Sequence, residues 1–163
     1  MDRKVRGYNI FEILVVLVII GILMAVVIRP ILVFVANQRL NQAVNMIVSD
    51  INTAKVYSLS KSNPAGIFGD ANGSTYNLFI NIDNNCSFNQ GTDQVIRTVT
   101  LPSGITISAD FFFLFDRKGY PRNASCGLGM GSIVLKNNFD IYKTICVDRF
   151  GRVRVENGSI TCN

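Results

Sequence analysis

Residues 10–28 read IFEILVVLVIIGILMAVVI, nineteen positions in which Glu12 is the one polar side chain. A helix needs about 20 apolar residues to cross the hydrocarbon layer of a bilayer. A cleaved secretory signal has a shorter apolar run, about 7–15 residues, followed by a small-x-small site. This run is longer and has no such site. Before it lies MDRKVRG (1–7), with Arg3, Lys4 and Arg6 against Asp2. Basic residues on that side orient the N-terminus toward the cytoplasm and the remainder toward export.

Apolar character continues past Arg29 and Pro30 through ILVFVA (31–36), after which the pattern becomes that of an amphipathic helix. Leu40, Ala43, Val44, Ile47, Val48, Ile51 and Ala54 recur at three- and four-residue steps. Arg39, Asn41, Gln42, Asn45, Asp50, Asn52 and Lys55 fill most of the other face. SKSNPAG (60–66) supplies a stop. One helix from about residue 8 to about residue 60 would be ~80 Å long at 1.5 Å per residue. Its first half requires lipid or apolar partners, and its second half requires one packed surface. Pro30 lacks an N–H and is expected to bend or loosen the helix locally.

Composition narrows the function classes. Of 163 residues, 48% are hydrophobic and 17% charged, and Lys+Arg minus Asp+Glu is 16 − 11 = +5. There is no His and no Trp. Ser-His-Asp and Cys-His catalysis and His-ligated zinc are therefore excluded. No C-x-x-C occurs, which leaves redox catalysis and a zinc knuckle without support. The sequence implies no cofactor, no metal and no catalytic constellation.

Glu12 is the informative residue. A carboxylate inside an apolar membrane segment costs roughly 2.5–3.5 kcal/mol on insertion scales and so takes a partner. No cation lies nearby after position 6, unless the chain is cut just upstream to expose an α-amino group. GYNIFEILVVLVIIGILMA (7–25) resembles the class III signal of type IV pilins and type II secretion pseudopilins. The resemblance implies cleavage after Gly7 by a prepilin peptidase, N-methylation of Tyr8, and pairing of Glu12 with the α-amino group of a neighbouring subunit in a filament. Tyr8 stands where Phe is usual, Asn9 where Thr is common, and Arg29 at the usual proline site with Pro30 one residue later.

After Gly66 the period changes to two. TYNLFINI (75–82), QVIRTVTL (94–101), GITISAD (104–110), FFFLFD (111–116), SIVLK (132–136), IYKTICVD (141–148) and RVRVE (152–156) read as short strands separated by Asn-, Asp- and Gly-rich turns. Strands this close, without intervening helices, pair antiparallel. The expected fold is α+β: a long N-terminal helix, membrane-spanning in its first half and amphipathic in its second, packed on an all-antiparallel β head. Its parts are a cleaved leader (1–7), the helix (8–60, membrane segment about 10–36) and the head (61–163).

Within the head, DFFFLFDRKGYP (110–121), IVLK (133–136) and YKTICVDRFGRVRV (142–155) resemble the GspH/FimT-type minor pilins, which carry a late hairpin ending in Gly-Arg-x-Arg. Four cysteines, Cys86, Cys126, Cys146 and Cys162, lie on the side expected to be exported, where an oxidising compartment favours disulfides. A hairpin turning at 137–138 would bring Cys126 near Cys146 and leave Cys86 for Cys162.

Charge divides the head. Residues 64–116 hold Arg97 against Asp70, Asp83, Asp93, Asp110 and Asp116, whereas residues 117–163 hold eight basic side chains against Asp140, Asp148 and Glu156. Arg152 and Arg154 are two apart on a strand and share a face, a geometry suited to phosphates. FimT-type pilins bind DNA through Gly-Arg-x-Arg during natural transformation, so the resemblance makes Gly151, Arg152 and Arg154 DNA-binding candidates. Arg149 joins them as a candidate beside the same turn, with Arg117 and Lys118 as helpers.

The expected function is a GspH-like minor pseudopilin of a type II secretion or type IV pilus-like filament. The alternative is a FimT-like DNA-binding minor pilin. Expected partners are prepilin peptidase, other pilins or pseudopilins, the bacterial inner membrane, and DNA or secreted proteins. The N-terminus is expected in the cytoplasm and the head in the periplasm.

Overall fold

The computed structural model describes residues 9–61 and 63–162. The chain forms two compact units, one up to Val35 and one from Ala36 onward. Helix α1 (Ile10–Ser60) supplies the first unit and opens the second, and it is helical through Pro30. Asn9 starts it, its side-chain oxygen accepting from the Phe11 N–H at 3.3 Å.

In the first unit every residue from 10 to 32 is exposed in the single chain. The helix is apolar and long enough to cross a membrane. Such a surface is stable only in lipid or against other apolar helices.

The second unit is an α+β head. Strands β1 (Ala65–Gly69), β2 (Thr75–Ile80), β3 (Gln94–Thr100), β5 (Phe111–Phe115) and β6 (Pro121–Arg122) form one sheet in the order β3-β2-β1-β5-β6. Strands β4 (Ile105–Ile107), β7 (Gly131–Asn137), β8 (Tyr142–Val147) and β9 (Val153–Asn157) form the other in the order β4-β7-β8-β9. Every strand pair is antiparallel.

Helix and both sheets share one core. Leu40, Ala43, Val44, Ile47, Ile51 and Ala54 meet Ile67, Tyr76 and Leu78 of one sheet and Ile133, Leu135, Ile145 and Val147 of the other. In β5, Phe111, Phe113 and Phe115 enter this core, while Phe112 and Leu114 face a second cluster with Phe68, Phe79, Phe88 and Cys86. A strand covered on both faces accounts for the unbroken FFFLF run.

Three sequence readings are corrected. Strand β1, absent from the sequence reading, lies centrally in its sheet and begins inside the SKSNPAG segment read as a helix stop. Gly66 is required there: a Cβ on it would sit 2.2 Å from the Phe113 carbonyl oxygen. Asp50, assigned to the polar face of the helix, is 1% exposed. Its Oδ2 accepts from the Tyr76 hydroxyl at 2.6 Å, and its Oδ1 forms an ion pair with Arg97. Burial, first, and then the hydrogen bond and charge of Asp50 hold the Tyr76 phenol well above its ordinary pKa.

The third correction is the cysteine pairing: the bonds are Cys86–Cys126 and Cys146–Cys162. The β7–β8 register sets Ser132, not Cys126, opposite Cys146. Cys126 lies before β7, in the turn after β6, and bonds there to the loop that carries Cys86. Beyond β9 the chain folds back along β8, with Gly158 N–H donating to the Tyr142 carbonyl and Ile160 N–H to Thr144 Oγ1. That return carries Cys162 to Cys146.

Candidate functional site

Two turns with the same sequence skeleton, Asp116-Arg117-Lys118-Gly119 and Asp148-Arg149-Phe150-Gly151, build the most cationic part of the head. In each, the aspartate Oδ1 accepts from two backbone N–H groups inside the turn. For Asp116 these are Lys118 and Tyr120, both at 2.9 Å. For Asp148 they are Phe150 at 2.9 Å and Arg152 at 2.8 Å. In each, the glycine N–H donates to the aspartate carbonyl, at 2.8 and 2.9 Å. Both glycines need the left-handed region, with φ of 78° and 74°. The aspartates are occupied in holding the loops, so the residues between aspartate and glycine are free to face outward.

The two turns belong to different sheets, and they adjoin. A Cβ on Gly151 would lie 3.1 Å from the Gly119 carbonyl oxygen and 3.2 Å from Lys55 Nζ. Lys55, reaching up from α1, donates to the Gly151 carbonyl at 3.4 Å. Nineteen residues of helix separate Ala36 from Lys55, about 28 Å at 1.5 Å per residue. Gly151 is buried, so its place among the binding candidates is structural: it lets the turns touch.

The arginines divide by partner. Arg152 Nε contacts Asp148 Oδ2 at 2.9 Å, and Arg122 contacts Asp116 Oδ2 at 2.6 Å. Arg117, Lys118, Arg149 and Arg154 make no ion pair among the described residues. The side-chain hydrogen bond from Arg152, with backbone N–H groups, holds Asp148 below the usual carboxylate range. For Asp116, partial burial raises the pKa, and the hydrogen bonds from Tyr120, Arg122 and Lys118 outweigh it, so it too is lowered. Both carboxylates therefore stay charged across the physiological range and neutralise part of the basic cluster.

Arg154 stands opposite Cys146 in the β8–β9 register, so Arg152 and Arg154 share the face that carries the Cys146–Cys162 bond. Arg149, Phe150, Arg152 and Arg154 line a groove on that side with Met130 and Cys162. On the other side, Arg149 and Phe150 line an open groove of about 570 Å³ with Lys118, Tyr120, Arg122 and Leu128. The structure thus brings Lys118 and Arg149 to one groove, whereas Arg117 lines neither of the two. Sequence reasoning missed Phe150, Tyr120, Arg122 and Leu128. The repeated D-R-x-G skeleton was the signal available for finding them.

The remaining sequence candidates fall elsewhere. Glu12 lies in the first turn of α1, exposed in the single chain. Gly7 and Tyr8, the processing and methylation candidates, and the leader 1–7 lie outside the described residues. The loop 81–93, rich in Asn and Asp, is no sequence candidate for a site and spends its side chains on itself: Asp93 accepts from Ile82 and Asn89 N–H groups, and Asp83 from Asn85. Among the described residues no group of three or more His, Cys, Asp and Glu side chains is placed to hold a metal. Compared with family models, curated proteins and solved structures, the chain finds no match.

Proposed function

We propose that this chain is a filament subunit of the pilin type, a GspH-like minor pseudopilin made as a precursor, stored in the bacterial inner membrane and assembled through its N-terminal helix. The observation that carries the reading is the change along α1. From residue 10 to residue 32 it is exposed and apolar but for Glu12 and Arg29, and from Leu40 onward one stripe is sealed by the head. A subunit that must leave a bilayer and pack against its neighbours needs that combination. Glu12 then supplies register, because a buried carboxylate without a cation is costly and a neighbour's α-amino group satisfies it.

In this reading prepilin peptidase cuts after Gly7, Tyr8 becomes the methylated N-terminus, and the head faces the periplasm. The chain performs no catalysis of its own. N-terminal sequencing of the membrane-bound protein tests it, with Tyr8 expected as the first residue. A start elsewhere overturns the processing scheme. Glu12→Gln is expected to be cut normally and to enter filaments poorly; incorporation at the wild-type level would remove the role given to Glu12.

A second reading, a DNA-binding minor pilin of the FimT type, draws support from the adjoining basic turns. Arg149, Arg152 and Arg154 present cations beside the second turn, and phosphate contacts of this kind weaken with salt. Retardation of DNA at two salt concentrations tests it. Binding is expected to fall with salt and to be largely lost in Arg152→Gln/Arg154→Gln. No retardation at low salt leaves the secretion-filament reading alone.

A further inference from the structure

The groove between the two turns carries more than charge. Phe150 is 70% exposed at the tip of the β8–β9 hairpin, and Tyr120, 40% exposed, lines the same groove. Lys118, Arg122 and Arg149 stand among them. A phenylalanine 70% exposed at a hairpin tip leaves most of its ring in water, and burying it against a ligand face is favourable.

Three ligand chemistries offer negative charge to such a groove. An acidic peptide supplies carboxylates but no regular array of flat rings. A membrane surface supplies phosphates, but its aliphatic layer offers no planar ring for Phe150 and Tyr120 to stack on. A single nucleic-acid strand supplies a phosphate and an unpaired base at every step. Bases stack on aromatic side chains while the backbone follows the cations, whereas a duplex keeps its bases in the stack. We infer that the Tyr120–Phe150 groove is a binding site for single-stranded nucleic acid, with Phe150 as the stacking platform and Lys118 and Arg149 as phosphate contacts. The inference rests on the DNA-binding reading and adds to it the form of the ligand and a face that Arg152 and Arg154 do not line.

The test is fluorescence anisotropy of the full chain in a neutral detergent, with a labelled 20-nucleotide strand and its duplex at about 50 mM salt. The single strand is expected to bind at least about fivefold tighter than the duplex. Phe150→Ala is expected to weaken single-strand binding roughly 5- to 150-fold, the range that loss of one base–aromatic stack gives, with duplex binding unchanged. Phe150→Tyr, which keeps a ring, is expected to restore it. Lys118→Gln/Arg149→Gln is expected to reduce the salt dependence of single-strand binding. Equal affinity for strand and duplex, or full single-strand affinity in Phe150→Ala, overturns the inference while leaving the DNA-binding reading intact. Failure to bind either form overturns both. Displacement of the strand by poly-glutamate at matched charge concentration would overturn it in favour of an acidic protein partner.

Discussion

Replacing Asp50 is the most direct probe of how the helix is fastened to the head. The carboxylate is buried on α1, yet it is satisfied from the sheet: Tyr76 on β2 donates at 2.6 Å and Arg97 on β3 forms the ion pair. Breaking a buried pair by removing one partner costs about 3–5 kcal/mol when the other charge stays buried. Here the Arg97 side chain is 55% exposed, so the freed guanidinium regains water and that component shrinks. The Tyr76 hydroxyl cannot regain water, since Tyr76 is 1% exposed, and a stranded buried donor costs about 1–3 kcal/mol. Asp50→Ala is therefore expected to destabilise the head by about 2–4 kcal/mol, against a total stability of about 5–15 kcal/mol for a domain. Tyr76→Phe leaves a buried carboxylate oxygen one bond short and is expected to cost about 1.5–3 kcal/mol. The double variant should cost less than the sum by about 1 kcal/mol or more, because each single change already destroys the shared bond. The assay is urea unfolding, followed by far-UV circular dichroism at pH 7, of a fragment starting at Ala36 with its disulfides intact. A cost below about 1 kcal/mol for Asp50→Ala, or strict additivity in the double variant, would refute the account of Asp50 as the fastening point.

Three further outcomes follow from the packing. The Tyr76 phenol is raised in the folded state, so the unfolded chain loses its proton first; stability is complete below about pH 10 and declines above it, and Tyr76→Phe should flatten that alkaline limb in pH-dependent urea unfolding. Gly66→Ala sets a methyl group 2.2 Å from the Phe113 carbonyl oxygen, so β1 and β5 must separate; a loss of more than about 3 kcal/mol, or failure to fold, is expected in the same assay, and a near-neutral result would contradict the central placement of β1. Closing loops of 40 and 16 residues, the Cys86–Cys126 and Cys146–Cys162 bonds are expected to contribute about 4 and 3 kcal/mol by chain entropy, measured as the separate effects of paired Cys→Ser replacements.

The helix stripe was legible because its signal is local: hydrophobic steps of three and four residues at 40–54 put the same side chains on one face whatever they pack against. The strands with alternating or continuous apolar character, β2 to β5 and β7 to β9, were legible for the same reason, whereas the two-residue β6 carries no such pattern and was missed. What was not legible depends on residues distant in the chain. Asp50 reads as a surface acid because the partners that bury it are 26 and 47 residues away. Strand β1 has two glycines among five residues, so it carries little apolar pattern, and its glycine answers a steric demand made by β5. The cysteine pairing failed on register: counting back from the 137–141 turn places residue 132, not 126, opposite Cys146. At the basic site, the shared face of Arg152 and Arg154 was readable from strand alternation. Their neighbourhood with the 116–119 turn was not, since it arises where two separate sheets meet.

That meeting place gives the head a built-in check on its own completion. Lys118 and Tyr120 come from one sheet, Arg149 and Phe150 from the other, and the two hairpin tips are brought into register by a lysine of the helix and a pair of glycines. No isolated hairpin contains the cleft. The cleft exists only where both sheets are docked, because residues of each line it. In the proposed role, a ligand read by both tips is held only by a head in which both sheets are docked.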